Sequence, residues 1–230
     1  MGSGNILSHL RWRHALDGLK MNPTGILALW NDCAKGKEAI YERWYQTEHL
    51  AERLAIPGIL RGRRYQAVDA IHSYFTYYET ETPEVLISKP YREILNHPTP
   101  LTQKIMAGTL INMSRTICCV AARSGDCRGA WAVTIKLKRN NFPDTTEMVN
   151  QLAGNHGTAR VELWHAVEKI KPPLSKEEKI RGCDDRILAC LLIDTLRETD
   201  ARKVAKYMKK MLGGAVKEAA IYRLMCELEG

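Results

Sequence analysis

The sequence has no run approaching the ~18 uninterrupted apolar residues that a bilayer-spanning helix needs. Its apolar stretch over 187–193 stops after a handful of positions. A transmembrane reading is therefore excluded. There is no C-x-x-C pair among the seven cysteines, and Cys118, Cys119 and Cys190 sit inside apolar runs. That argues against a disulfide scaffold or zinc ribbon and for buried thiols in a cytoplasmic chain. No G-x-G-x-x-G fingerprint, phosphate-cradling loop or G-x-S-x-G elbow occurs, so nucleotide-dependent and serine-hydrolase chemistry fall away. Gly2 does not begin a myristoylation signal, because Ile6 stands where Ser or Thr is required. Charge is not clustered either. The net +8 arises from 34 basic and 26 acidic residues, with about +2 in residues 1–21, about +1 in 22–122 and about +5 in 123–230. The last share is spread through mixed segments such as Lys176-Glu177-Glu178-Lys179. Neither nucleic acid nor membrane is expected as a partner.

What is present suffices for a folded core: 230 residues, 45 % hydrophobic and 26 % charged, allow one large domain or two small ones. Residues 1–21, with Arg11, Arg13 and Lys20 against Asp17, read as an N-terminal extension ahead of a second start at Met21. From there the periodicity predicts a strand at 25–30, a helix at 35–55 closed by Pro57-Gly58, and strands at 59–68 and 71–80 joined by Asp69-Ala70. A Pro-containing connection leads to a helix at 101–111 and a strand at 114–121. The second half repeats the order, with strands at 131–137, 158–167, 186–196 and 219–228 and helices at 144–152 and 200–212.

The duplication is visible in the letters themselves. P-G-I-L-R-G-R-R-Y-Q-A-V at 57–68 aligns without a gap to H-G-T-A-R-V-E-L-W-H-A-V at 156–167. Gly58/Gly157, Arg61/Arg160, Ala67/Ala166 and Val68/Val167 match, and Tyr65/Trp164 are similar. The expected fold is α+β: two tandem ferredoxin-like β-α-β-β-α-β units, 22–124 and 125–230, packed sheet to sheet as an intrachain α+β barrel around an interior cavity. The long connection over 170–185 is a surface excursion and a candidate lid.

Candidate site residues concentrate in the first unit. Tyr41, Tyr45, His49 and Arg53 follow at i, i+4 on one helix face, with Ile40, Trp44, Thr47, Ala51 and Leu54 as the neighbouring apolar stripe. The imidazole of His49 suits proton transfer near neutral pH. On the second strand Arg61, Arg63 and Tyr65 share one face, assigned to the cavity by correspondence with Arg160, Glu162 and Trp164. Arginines there could bind a carboxylate or a developing enolate, or simply pair with Glu162. On the third strand His72, Tyr74, Thr76 and Tyr78 form the more polar face, also assigned to the cavity. The corresponding strand in the second half is apolar on both faces, so that unit acts as the partner wall, contributing Trp164. His49 and Glu52 make at most half a metal site, and no metal is expected.

The segment from Tyr41 to Tyr65 resembles the signature region of the dimeric α+β barrel superfamily, most closely that of EthD-like proteins. The matching parts are the aromatic pair Trp44-Tyr45 ahead of His49, then Pro57-Gly58, then an Arg-rich strand ending in Tyr65. It departs where Leu50-Ala51-Glu52-Arg53 stands in place of a proline that often follows the histidine. The resemblance implies a cavity more firmly than a reaction, since its members include cofactor-free monooxygenases, muconolactone isomerases, polyketide cyclases, and haem-using aldoxime dehydratases and chlorite dismutases. The leading expectation is a cofactor-independent lyase, isomerase or dehydratase acting on a small aromatic or unsaturated carbonyl compound. His49, Arg61 and Tyr78 would be catalytic, and Tyr45, Arg63, Tyr65, His72 and Trp164 would hold the substrate. The rivals are a cofactor-free monooxygenase, a haem enzyme using His49, His72 or His165 as axial ligand, and a non-catalytic small-ligand binder. A monomer or homodimer serves each reading.

Overall fold

The computed structural model describes residues 23–140, 145–168, 173–182 and 184–230. The N-terminal extension and Asp144 lie outside them. The first unit opens with β1 (Gly25–Cys33) and a helical stretch made of α1 (Glu38–Trp44), a π turn (Tyr45–His49) and α2 (Leu50–Leu54). It continues through β2 (Ile59–Asp69), β3 (Tyr74–Thr80), α3 (Lys89–Asn96), α4 (Pro100–Met106) and β4 (Leu110–Ser124). The second comprises β5 (Trp131–Leu137), α5 (Thr145–Ala153), β6 (Thr158–Ala166), α6 (Lys176–Arg181), β7 (Ala189–Thr195), α7 (Glu198–Leu212) and β8 (Val216–Glu229).

Each unit forms an antiparallel sheet, β4-β1-β3-β2 and β8-β5-β7-β6. β2 pairs with β8 and β4 with β6, closing one eight-stranded barrel. Closure leaves no strand edge unpaired, which is how the two half-covered sheets satisfy their backbone groups. The two units also correspond in backbone conformation: Gly58 and Gly157 both lie at φ +87°, a left-handed turn that glycine adopts without a Cβ penalty. Apolar side chains fill three layers. One lies between the first unit's helices and its sheet, one between the second unit's helices and its sheet, and one inside the barrel.

Several boundaries differ from expectation for identifiable reasons. The Pro-containing connection holds a helix of its own, α3, which Ser88 caps by accepting the Tyr91 amide and in whose first turn Pro90 sits. The helix expected over 101–111 ends at Met106, because Leu110 pairs with Cys33 at the start of β4. β3 begins only at Tyr74, since the Ser73 amide and hydroxyl both donate to Asp32 Oδ1, at 2.7 and 2.8 Å, and hold 70–73 as a turn.

The expected cavity between the sheets is corrected. Trp30, Tyr65, Phe75, Tyr77, Trp164 and Tyr222 fill the middle of the barrel, with neighbouring rings such as Trp30–Phe75 and Tyr77–Trp164 at 5.0 and 5.3 Å between centroids. An eight-stranded barrel has an interior just wide enough for side chains, and six large aromatics occupy it.

Candidate active site

A small internal cavity lies instead between the first unit's helices and the outer face of its sheet. The π turn decides which helix residues reach it. An uninterrupted α-helix repeating from Tyr41, Trp44 and Tyr45 would next present Glu48 and Glu52 to the sheet. The wider π turn lets the chain gain a residue, so that His49, Leu50, Arg53 and Leu54 are buried while Glu48 and Glu52 turn partly outward. The neighbouring stripe is corrected accordingly. Ile40, Thr47 and Ala51 are exposed, and His49 sits within the buried face rather than beside it.

The cavity is lined by Leu27 and Leu29 from β1, Trp44, Tyr45, His49 and Arg53 from the helical stretch, and Tyr78 from β3. Tyr91, Leu95, Met106, Leu110, Met113 and Arg115 close it further, and Glu177 and Arg181 from α6 cover it. The cavity is tight. Its free space for water is about 20 Å³, enough for about one molecule. Gly62 on β2 makes the close helix approach possible, because a Cβ there would stand 2.7 Å from Leu50 Cδ1.

His49 is 5 % exposed, and its ring lies 4.1 Å from Trp44 and 5.0 Å from Tyr45 between centroids. Burial, reinforced by Arg53, Arg181 and Arg64, pushes its pKa well below the ordinary imidazole value, so the ring is neutral at neutral pH. Its Nδ1 has no hydrogen-bond partner, and Glu52 Oε2, at 4.0 Å, is too far to provide one. The Tyr78 hydroxyl is likewise buried without a partner, and burial raises its pKa well above that of a free phenol. Arg64, fully buried behind this wall, is enclosed by the rings of Tyr45, Tyr74 and Tyr41 at 4.3, 4.8 and 4.9 Å.

Charge enters through Arg53, Arg115 and Arg181. Burial disfavours the Arg53 cation, but Glu177, with Oε1 2.5 Å from Nη2, acts together with Tyr91, Glu52 and Tyr78 to outweigh it and keep the guanidinium charged. Arg115 reaches Glu178 at 3.2 Å and donates to the Tyr91 hydroxyl at 3.0 Å, while Arg181 is held by Asp184. A neutral base with a free nitrogen, a neutral phenol and nearby cations can remove a proton next to a carbonyl and stabilise the resulting anion.

The residues expected to form one site divide between two sides of the sheet. His49, Tyr45 and Tyr78 meet in this cavity. Arg61, Arg63, Tyr65 and Trp164 point into the barrel, as β2 pairing predicts, but there they face no open space. Arg61 pairs with Glu229 and with Glu227 at 2.9 Å. Arg63 Nη1 lies 3.1 Å from Asp194 Oδ2, and its Nη2 donates to the Gly129 carbonyl at 2.8 Å. The ion pair weighed for Arg160 and Glu162 is present, Nε donating to Oε1 at 2.7 Å, and Trp164 Nε1 donates to Oε2 of the same glutamate. Tyr65 is stacked on Phe75. His72 lies in the turn before β3, apart from both groups, near Lys136 and Asp32. Assigning the polar face of β3 to the space between the sheets is therefore corrected: Arg63 pairs with Tyr77 and Gly62 with Tyr78, so Tyr78 shares the helix-facing side.

Sequence reasoning missed Arg115, Glu177 and Arg181 as wall residues. Haem does not fit the cavity as built, because the space beside His49 holds about one water molecule. Among the described residues no three His, Cys, Asp or Glu side chains converge on a common metal position. No described helix is long and apolar enough to cross a membrane.

No protein-family model matches the sequence, and no curated protein matches it. Solved structures do. An anthrone oxidase-like protein superposes with a TM-score of 0.58 at 9 % identity, covering 90 % of this chain and 93 % of its own. A candidate monooxygenase from Fusobacterium nucleatum gives 0.55 at 11 % identity over 91 % and 99 %. A candidate chlorite dismutase gives 0.54 at 13 % identity over 89 % and 96 %. These likenesses establish the dimeric α+β barrel, ferredoxin-like fold.

Proposed function

We propose that the protein is an EthD-like enzyme of small-molecule metabolism that removes a proton from an aromatic or unsaturated carbonyl compound in the cavity between α1, the π turn, α2 and the first sheet. The observation that carries this reading is His49: a buried, neutral imidazole with an unpartnered nitrogen, lining a cavity that the unpartnered Tyr78 hydroxyl also borders. His49 takes the proton, the Tyr78 hydroxyl donates to the carbonyl oxygen as charge develops there, and the apolar walls exclude water. Return of the proton to another position, or loss of a leaving group, makes the reaction an isomerisation, elimination or dehydration without a cofactor. Arg61 and Arg63 serve in this reading as barrel-closing ion pairs rather than as substrate contacts.

A second reading, cofactor-free oxygenation, uses the same proton removal and hands the carbanion to dioxygen. The anthrone oxidase-like and monooxygenase names among the fold neighbours favour including it. The test is a panel of aromatic acids, lactones and enones followed by absorbance and by an oxygen electrode. Turnover that falls by about 10² to 10⁴ in His49→Ala supports proton transfer by His49. Undiminished turnover in that variant removes His49 from the mechanism, and oxygen consumption selects the second reading.

A further inference from the structure

The cavity already contains a carboxylate of its own. Glu177 projects from α6, is 3 % exposed, and binds Arg53 through Oε1 at 2.5 Å. The adjacent Glu178 closes the Ser175 capping box and pairs with Arg115 at 3.2 Å. Two consecutive acids thus clip one short helix over the cavity through two of its three wall arginines, Arg53 and Arg115. Arg53 is 3 % exposed, and its Nη1 makes no hydrogen bond, facing Glu52 Oε2 at the longer distance of 3.8 Å. That guanidinium, which lines the cavity, has unused hydrogen-bond donor capacity.

We propose that the cavity binds a carboxylate-bearing aromatic or unsaturated molecule, and that Glu177 is its resident stand-in, exchanged for the ligand's carboxylate on Arg53 when α6 moves off the wall. The proposal rests on the reading of this cavity as the active site and names its substrate class. Its physical basis is charge balance. Withdrawing Glu177 alone would leave the buried guanidinium with only the longer Glu52 contact, at 3.8 Å, to balance its charge, which is unfavourable. An incoming carboxylate restores the same pairing and adds bonds to the unused Nη1, whereas a neutral ligand restores neither. The exchange also supplies the room that the closed cavity lacks, so occupancy and opening are one event.

The test uses the full-length protein, benzoate as probe and benzyl alcohol as its neutral counterpart, with affinities from calorimetry. Glu177→Gln is expected to raise benzoate affinity by about tenfold or more while benzyl alcohol changes by less than about twofold, and Arg53→Gln is expected to abolish benzoate binding. Hydrogen exchange of the wild-type protein keeps the question open to decision even if a variant misfolds: saturating benzoate, but not benzyl alcohol, is expected to speed exchange of the amides over 176–181. The proposal is overturned if benzoate binds neither wild type nor Glu177→Gln, if both probes gain equally in that variant, or if α6 exchange does not respond. Benzoate binding of this kind without turnover of any substrate leaves the anion site standing and sinks the enzymatic reading. Turnover of neutral substrates without it does the reverse.

Discussion

His49 and Tyr78 face one cavity from opposite walls, the first from a π turn and the second from β3, and each carries a buried polar atom without a hydrogen-bond partner. Such atoms cost stability unless something else uses them. Tyr78→Phe deletes the hydroxyl and nothing else. It is expected to leave the melting temperature unchanged or slightly raised while lowering kcat/KM by about 10- to 100-fold. Parallel losses of stability and activity would assign Tyr78 to packing alone.

The buried imidazole also sets a pH dependence. The unfolded chain protonates His49 near pH ~6.5, whereas the folded protein resists protonation until well below that. Between those values the unfolded state binds the extra proton, so stability is intact above pH ~6.5 and lost as pH falls, by at most about 1.4 kcal/mol per pH unit. Burial lowers His72 and His165 as well, so the informative quantity is a difference. His49→Phe, which keeps an aromatic ring beside Trp44, is expected to flatten the acid limb of denaturant-derived stability relative to wild type. An identical slope in both proteins would place the titration elsewhere.

Gly62 controls how closely α2 sits on the sheet. The added Cβ of Gly62→Ala would meet Leu50 Cδ1 at 2.7 Å and Tyr78 Cε1 at 3.0 Å, so both side chains must shift. Overpacking of this kind costs about 1–3 kcal/mol, more than the ~0.4–1 kcal/mol an alanine returns through the unfolded state. A net loss of stability by chemical denaturation is expected, with activity reduced because both neighbours flank the cavity.

Arg63 separates a structural role from a ligand contact. It is 2 % exposed and pairs with the fully buried Asp194 and with Glu227, at 3.1 and 2.7 Å. Arg63→Met takes the hydrogen-bonded cation from the buried Asp194, whose pKa burial already raises to about 7, and leaves Arg160 and Arg128 as its remaining cations; a cost of up to about 3–5 kcal/mol, or a fall in Tm on the order of 10 °C by calorimetry, is expected. A variant with normal Tm and lost activity would return Arg63 to the substrate.

The order of elements along the chain and the facing of β2 were legible because turn glycines and period-two alternation are local signals. Arg61, Arg63 and Tyr65 do share the barrel face. The facing of β3 was not legible, since all seven of its residues are buried, and a strand covered on both sides offers no polar face to choose. His49 could be named from its neighbours, but its centring on the buried face depends on a π turn that regular 3.6-residue periodicity does not encode. Glu177 was hidden most completely. It belongs to a Lys-Glu-Glu-Lys run that reads as solvated charge, and its partner Arg53 lies 124 residues away. Only the folded chain brings them together.

Proton removal by His49 is tested most directly by deuterium exchange. Wild type and His49→Ala are incubated in D₂O with small enones and aryl ketones, and loss of the proton beside the carbonyl is followed by NMR. Exchange catalysed by wild type and reduced by about 10² or more in His49→Ala is the expected result. Equal exchange in the two proteins, or none beyond the uncatalysed rate in either, contradicts it.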